Sequence, residues 1–147
     1  MPTIDFSEVA GHLMHLGIAY LLALPLALDR EKEKRSAGLR TFPLVAIGVC
    51  AFMLTGLSFF EGEEARARLA HGLLTGMGFI GGGAILRRGD RVAGTATAAS
   101  LWNTGGIGMA VAMDRYEIAV VLALVSFLTL RYISRIKREV PEKRTES

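Results

Sequence analysis

The segment TFPLVAIGVCAFMLTGLSFF, residues 41–60, contains no Asp, Glu, Lys or Arg. Twenty predominantly apolar residues in a helix rise about 30 Å, which matches the hydrocarbon core of a bilayer. Outward from this segment, residues 9–28, 69–86 and 92–113 form charge-free runs of 20, 18 and 22 residues, and residues 118–130 form a fifth run of 13. The sequence therefore predicts an all-α, multi-pass membrane helix bundle.

We predict five transmembrane helices over residues 9–28, 41–60, 69–86, 93–113 and 117–133, within one membrane domain of residues 1–140. The fifth span is long enough because Arg131 can lay its aliphatic stem along apolar surface and keep its guanidinium at the interface. Asp5 and Thr41 are predicted to cap the first and second helices. Residues 141–147 are polar after Pro141, so we expect a disordered tail.

The basic residues predict the orientation of the chain. Fourteen of the 17 Lys and Arg residues lie after the first, third or fifth run, whereas the other gaps hold only Arg66, Arg68 and Arg115. Because cytoplasmic loops are enriched in Lys and Arg, the N-terminus is predicted outside and the C-terminus in the cytoplasm. The net charge of +3 then favours anionic lipid head groups as the counter-charge, and we expect no nucleic-acid partner.

Small residues set the third and fourth runs apart. Helices in lipid attract each other mainly through close packing, which glycine permits, so we predict that both helices lie inside the bundle. Three successive glycines at 81–83 also weaken a helix and raise the question of whether the third helix is broken there. The glycines predicted to mediate helix packing are Gly72, Gly76, Gly78, Gly82, Gly83, Gly94, Gly105 and Gly108.

A polar stripe runs along the fourth helix. Thr97, Ser100 and Thr104 share one helical face, and Asn103 lies beside it. One interpretation is hydrogen bonding between helices, and the other is a polar lining for a ligand or ion. Together with Trp102, the residues Thr97, Ser100 and Asn103 are candidates for a ligand or partner site.

A metal site has one weak candidate. His12, His15 and His71 are predicted near the same membrane surface, but no carboxylate accompanies them at membrane depth. Histidines near an interface are usually solvated or hydrogen-bonded, and Cys50 is the only cysteine. We therefore predict no metal site and no cofactor.

Three segments resemble the MgtC/SapB family of membrane proteins. They are the charged connector that begins at Asp29 and ends in AGLRT at 37–41, the segment GMGFIGGG at 76–83, and the segment GTATAASLW at 94–102. The resemblance implies a bacterial cytoplasmic (inner) membrane protein connected with growth at low magnesium. Some members carry an additional soluble C-terminal domain, which we do not expect in this chain. The resemblance also makes the connector a candidate ligand or partner site, with Asp29, Glu31, Arg35, Arg40 and Thr41 as its residues.

Two functions follow from these features. The first is a non-enzymatic regulator that packs against a membrane partner such as a transporter or ATP synthase, or against its own copies. The alternative is a small oligomeric transporter or channel for an ion, although no Asp or Glu lies within any run to coordinate bare Mg²⁺. An enzyme is not expected, because Ser100 and Asn103 have no acid or histidine partner on the same level.

Overall fold

The computed structural model describes residues 5–33, 37–88 and 91–133. Over these ranges the chain forms five α-helices, which confirms the all-α bundle. They are α1 (Phe6–Lys32), α2 (Thr41–Phe59), α3 (Glu63–Gly83), α4 (Thr95–Ala112) and α5 (Tyr116–Leu128), and a π-helical turn (Thr129–Ile133) continues α5. A short antiparallel hairpin of β1 (Leu86–Arg88) and β2 (Arg91–Ala93) connects α3 to α4.

Among the described residues, three helices are long and apolar enough to cross a membrane: α1, α2, and α5 taken with the π-helical turn. Helices α3 and α4 are less apolar because glycine and polar side chains replace bulky ones. Helix α4 nevertheless contacts all four other helices, so its polar groups face protein instead of lipid. That all five helices cross the membrane remains a prediction. The predicted tail, residues 141–147, lies outside the described residues.

The helix ends differ from the prediction at several points. Asp5 caps α1 as predicted and accepts a hydrogen bond from the Ser7 amide at 2.8 Å. Thr41 does not cap α2, because it is already the first residue of the helix. The amides of Thr41 and Phe42 both donate to the carbonyl of Gly38, at 3.1 and 3.2 Å. Residue 40, not 41, is the N-cap of α2, and its side chain makes no capping hydrogen bond.

The third helix is not broken within its length, and it ends at the glycine triplet. The amide of Ala84 donates to the carbonyl of Gly81 at 3.0 Å and closes the last turn. The sequence also predicts that residues 61–68 extend the third helix, with Glu63 and Glu64 in its first turn. The helix does start at Glu63, and it stops earlier than predicted, at Gly83. The sequence analysis did not predict the hairpin that follows, although Gly89 and Asp90 between the strands are a known two-residue hairpin signal.

The two glycine-rich helices occupy different positions in the bundle. Helix α4 lies at the centre and buries 11 of its 18 residues. Helix α3 lies at the periphery and buries only Met77 and Gly81 among its 21 residues. The prediction of an interior position is therefore right for α4 and wrong for α3.

The glycines follow the same division. A side chain at Gly108 would collide with the carbonyl oxygen of Ala46, and one at Gly105 would come within 2.9 Å of Met77. Gly94 has a φ of +90°, and a side chain there would collide with the backbone at Ala84. At these three positions, therefore, the absence of a side chain permits close contact with another part of the chain.

In α3 the predicted packing role is wrong within this chain. A β-carbon added to any of five predicted glycines would meet no atom within 4 Å: Gly72, Gly76, Gly78, Gly82 and Gly83. Gly81, which was not singled out for packing, is the α3 glycine that approaches another helix, since its β-carbon would lie 3.2 Å from the carbonyl oxygen of Ala98.

Candidate functional site

The bundle has one basic end, where α1 and the hairpin place Arg30 and Arg87, and where the turn after α5 places Arg131. An ion pair is buried at this end, in the last turns of α1. Arg30 is 2% exposed and Asp29 is 8% exposed. Nη2 of Arg30 donates to Oδ2 of Asp29 at 2.5 Å, and Nε donates to the same oxygen at 3.2 Å.

This burial is unusual, since ion pairs in a charged connector are ordinarily solvated at the surface. Helix α1 continues to Lys32 instead of ending near residue 28, so Arg30 stays on the helix face that buries Ala19, Ala23 and Leu26. The spacing of these four residues is four, three and four, which is the signal that would have identified Arg30 from the sequence. A charged pair at the edge of the membrane core costs free energy to bury and marks a candidate functional position.

The rest of the connector folds back on α1 through Glu31. Its Oε2 accepts a hydrogen bond from the backbone amide of Leu39 at 3.1 Å. A side chain at Gly38 would collide with the same carboxylate. Glu31 therefore positions the start of α2, while Arg35 lies outside the described residues.

A groove opens between α2 and α3 at the basic end. We call it the α2–α3 groove, and its volume is about 670 Å³. Gly48, Gly72 and Gly76 form its glycine floor, because none of them carries a side chain into it. The groove is lined by Arg40, Thr41, Leu44, Val45, Gly48, Val49, Phe52, Gly72, Leu73, Gly76, Met77, Phe79 and Ile80.

The structure thus brings Arg40 and Thr41 together at one end of this groove. The Arg40 side chain is exposed and forms no hydrogen bond or ion pair with another residue in the described part of the chain. Asp29 and Glu31, predicted as members of the same site, do not line the groove. The connector residues therefore have three different environments. Asp29 lies in a buried ion pair, Glu31 accepts a hydrogen bond from a backbone amide, and Arg40 and Thr41 lie at one end of the groove.

The polar stripe of α4 is buried, and its hydroxyl groups bond within the helix. Ser100 donates to the carbonyl of Ala96 at 2.8 Å, and Thr104 donates to the carbonyl of Ser100 at 2.8 Å. Thr97 is also buried. For Ser100 and Thr104 the expected hydrogen bonds between helices are replaced by bonds to the preceding turn, which satisfy the hydroxyls without a partner helix.

Asn103 does bond between helices, as predicted. Its Nδ2 donates to Oγ of Ser126 on α5 at 3.0 Å. Beside this bond lies a crevice of about 190 Å³ between α4 and α5, which we call the α4–α5 crevice. Its polar lining residues are Ser100, Asn103, Ser126 and Thr129. Trp102 is 47% exposed and does not line the crevice.

A second polar cluster lies at the opposite end of the bundle, where α1 meets the turn between α4 and α5. Asp114 Oδ1 lies 2.9 Å from His15 Nε2 and accepts a hydrogen bond from the Tyr116 hydroxyl at 2.9 Å. These hydrogen bonds, that from His15 first, lower the pKa of Asp114. In the described residues no three His, Cys, Asp or Glu side chains are grouped to hold a metal ion, so His12, His15 and His71 do not form a site.

Comparison with known proteins gives a family match over most of the chain. The sequence profile described as "MgtC family" matches residues 16–139. SrpB of Synechococcus elongatus is 32% identical over 141 residues, which cover 87% of this chain and 78% of SrpB. MgtC of Salmonella typhimurium is 32% identical over 133 residues, which cover 88% of this chain and 57% of MgtC.

A protein of Escherichia coli named as the putative magnesium transporter YhiD is 30% identical over 134 residues, which cover 86% of this chain and 62% of YhiD. The match therefore spans less than two thirds of MgtC and of YhiD. No solved structure matches the chain.

Proposed function

This chain belongs to the MgtC family, and from that membership we propose that it is a non-enzymatic protein that supports magnesium homeostasis by regulating another membrane protein. The proposal places it in the bacterial cytoplasmic membrane as a multi-pass protein. A transporter or ATP synthase is the kind of partner that the family resemblance implies. The name of the Escherichia coli relative YhiD, a putative magnesium transporter, supports the connection with magnesium.

The observation that carries the proposal is the unpartnered glycine face of α3. Gly78 and Gly82 lie four residues apart on one side of the helix, and neither would place a β-carbon within 4 Å of another atom. Phe79 beside them is 87% exposed. Because close approach of backbones drives helix association in lipid, this face is suited to a helix of a partner protein or of a second copy.

The proposal is tested by filling this face. Gly78→Leu and Gly82→Leu place bulk where the chain itself leaves open space, so the bundle is expected to fold. Gly17→Leu in α1 is the matched control, since that position is equally open. We expect the two α3 variants, and not the control, to lose co-purification of the membrane partner from mild detergent and to lose support of growth at low magnesium.

Recovery of the same partner with all three variants, or of no partner and no second copy with the unaltered protein, would contradict regulation through α3. Growth at low magnesium that does not depend on the protein would contradict the link to magnesium. The two readouts separate the physiological role from the docking surface.

The α4–α5 crevice favours a second candidate function, a small oligomeric ion transporter or channel. Four polar side chains line this crevice between α4 and α5, next to a π-helical turn, which is a feature often found at functional sites. No carboxylate lines it, so an ion would keep its water. Purified protein in liposomes should then conduct Mg²⁺, H⁺ or phosphate, and Asn103→Leu should abolish the flux; no flux with the unaltered protein rejects this function.

A further inference from the structure

We propose that the α2–α3 groove binds an anionic phospholipid, with the phosphate held by Arg40 and Thr41 and one acyl chain lying on the glycine floor. This inference does not depend on the proposed function. It concerns the side of α3 that carries Gly72 and Gly76, whereas partner docking concerns the adjacent side that carries Gly78 and Gly82; Phe79 lies at the border of the two surfaces.

The charge of the groove matches such a ligand. Arg40 is the one ionisable side chain among the described residues that line the groove, and Thr41 next to it supplies a hydroxyl donor. A guanidinium donates two parallel hydrogen bonds to a phosphate group, and no described side chain occupies this one. All other lining residues are apolar or glycine, which suits a hydrocarbon chain. The ligand must therefore be anionic at one end and apolar along its length.

The length of the groove favours an acyl chain over a helix. From Thr41 to Phe52 the helix rises about 16 Å, which is close to one leaflet of a hydrocarbon core about 30 Å thick. Farther along, the two helices meet where the side chain of Leu69 fills the space beside Gly56. A transmembrane helix of a partner would need the full thickness, whereas one acyl chain needs only the leaflet.

The volume is also suitable. At about 670 Å³ the groove falls within the range of about 300–1,000 Å³ that is typical of small-molecule sites. A second hollow of the same size lies beyond Phe52, lined by Thr55, Phe59 and Phe60 among others, but it has no charged lining residue. Of these two hollows, the α2–α3 groove is the one that has a charged side chain, Arg40, among its described lining residues.

The test uses the purified full-length chain in mild detergent, mixed with phosphatidylglycerol or with phosphatidylcholine, and counts bound lipids by native mass spectrometry. We expect phosphatidylglycerol to be retained in preference to phosphatidylcholine. Arg40→Gln should weaken phosphatidylglycerol binding about fivefold, since one basic side chain near an anionic surface contributes about 1 kcal/mol. Gly76→Leu should abolish it by filling the floor.

Two controls match these variants. Arg66→Gln removes one positive charge from an exposed position at the other end of the bundle, and Gly17→Leu adds the same bulk to an open position of α1. Both should bind phosphatidylglycerol as the unaltered chain does. If Gly76→Leu fails to fold, as judged by its circular dichroism, Arg40→Gln alone decides the question.

Equal retention of both lipids, or equal loss with Arg66→Gln and Arg40→Gln, would overturn the proposal. A second copy of the chain or another polypeptide displaced by Gly76→Leu, with lipid binding unchanged, would also overturn it and assign the groove to that occupant. Loss of the membrane partner with Gly78→Leu, by contrast, has no bearing on the groove.

Discussion

At the scale of single residues, Arg30 and Asp29 depend on each other because both are buried. Removing either partner leaves an uncompensated charge in a medium of low dielectric constant, which costs more than the pair itself contributes. The other buried residues of α1 are apolar, so no other described carboxylate or base on this buried face can pair with the charge that remains. The pair therefore fixes the end of α1 against the bundle.

We predict that Arg30→Ala lowers the free energy of unfolding by about 3–5 kcal/mol, because it leaves Asp29 charged and unpaired. The measurement is thermal unfolding in detergent, followed by circular dichroism. Arg68→Ala is the matched control, since Arg68 pairs with Glu64 in full contact with solvent and should change stability by about 0–1 kcal/mol. A loss of equal size in the two variants would show that Arg30 is not held by its buried partner.

Asp114 makes stability depend on pH at the other end of the bundle. Its folded-state pKa lies below the ordinary value of 3.8, mainly because His15 hydrogen-bonds to it. Its contribution is therefore complete above pH 3.8 and is lost as the pH falls below that value.

We predict that Asp114→Asn destabilises the protein at pH 7 and that the difference from the unaltered chain shrinks below about pH 4. Asparagine tolerates the positive φ of 57° at this position, so the backbone is preserved. The unfolding midpoint is measured for both proteins from pH 7 to pH 3. A difference that stays constant over this range would mean that ionisation of Asp114 does not stabilise the fold.

The sequence identified many residues of the candidate site, but it did not show which of them lie close together in space. Arg40 and Thr41 were identified, and the structure places them at one groove, but Gly72 and Gly76 of the glycine floor were assigned to helix packing. Asp29 was identified without its partner Arg30. A charge count cannot distinguish a solvated arginine from a buried one, because the difference depends on where the helix ends.

At the scale of the elements, charge-free runs identified all five helices because each needs an apolar surface toward lipid or protein. The runs alone could not give the helix ends, since charged residues such as Lys32 and Glu63 continue a helix as readily as apolar ones. The start at Glu63 was predicted from a different signal, the two acidic residues of a first turn. They also could not separate the interior α4 from the peripheral α3. Small residues permit close packing in either position, and only the contacts show which glycines use it.

The glycines of α4 and α1 should respond to substitution in opposite directions. We predict that Gly108→Ala destabilises the bundle by about 1–3 kcal/mol, because its β-carbon meets the backbone of α2 at Ala46 and backbone atoms cannot move aside cheaply. Gly17→Ala should be neutral or stabilising by up to about 1 kcal/mol, since it meets open space and alanine favours the helix. Thermal unfolding of both variants decides between these signs, and stabilisation by Gly108→Ala would contradict the close contact of α4 with α2.

At the scale of the whole molecule, α4 forms the centre and the remaining helices surround it. The five helices alternate in direction, so the connector, the hairpin and the turn after α5 gather at one end. This arrangement concentrates the basic residues on one membrane surface. It leaves α3 with most of its surface uncovered, which is where both the proposed partner face and the proposed lipid groove are found.

The concentration of charge predicts that this basic end faces the cytoplasm, because translocation of Lys and Arg is disfavoured. Cys50 is buried, and replacing it with alanine gives a background for single cysteines. In intact cells a membrane-impermeant maleimide should label Glu61→Cys in the turn between α2 and α3, and it should label Lys32→Cys only in inverted vesicles. Labelling of Lys32→Cys in intact cells would reverse the orientation. It would then place Arg40 and the α2–α3 groove in the outer leaflet, and the anionic phospholipid would have to come from that leaflet.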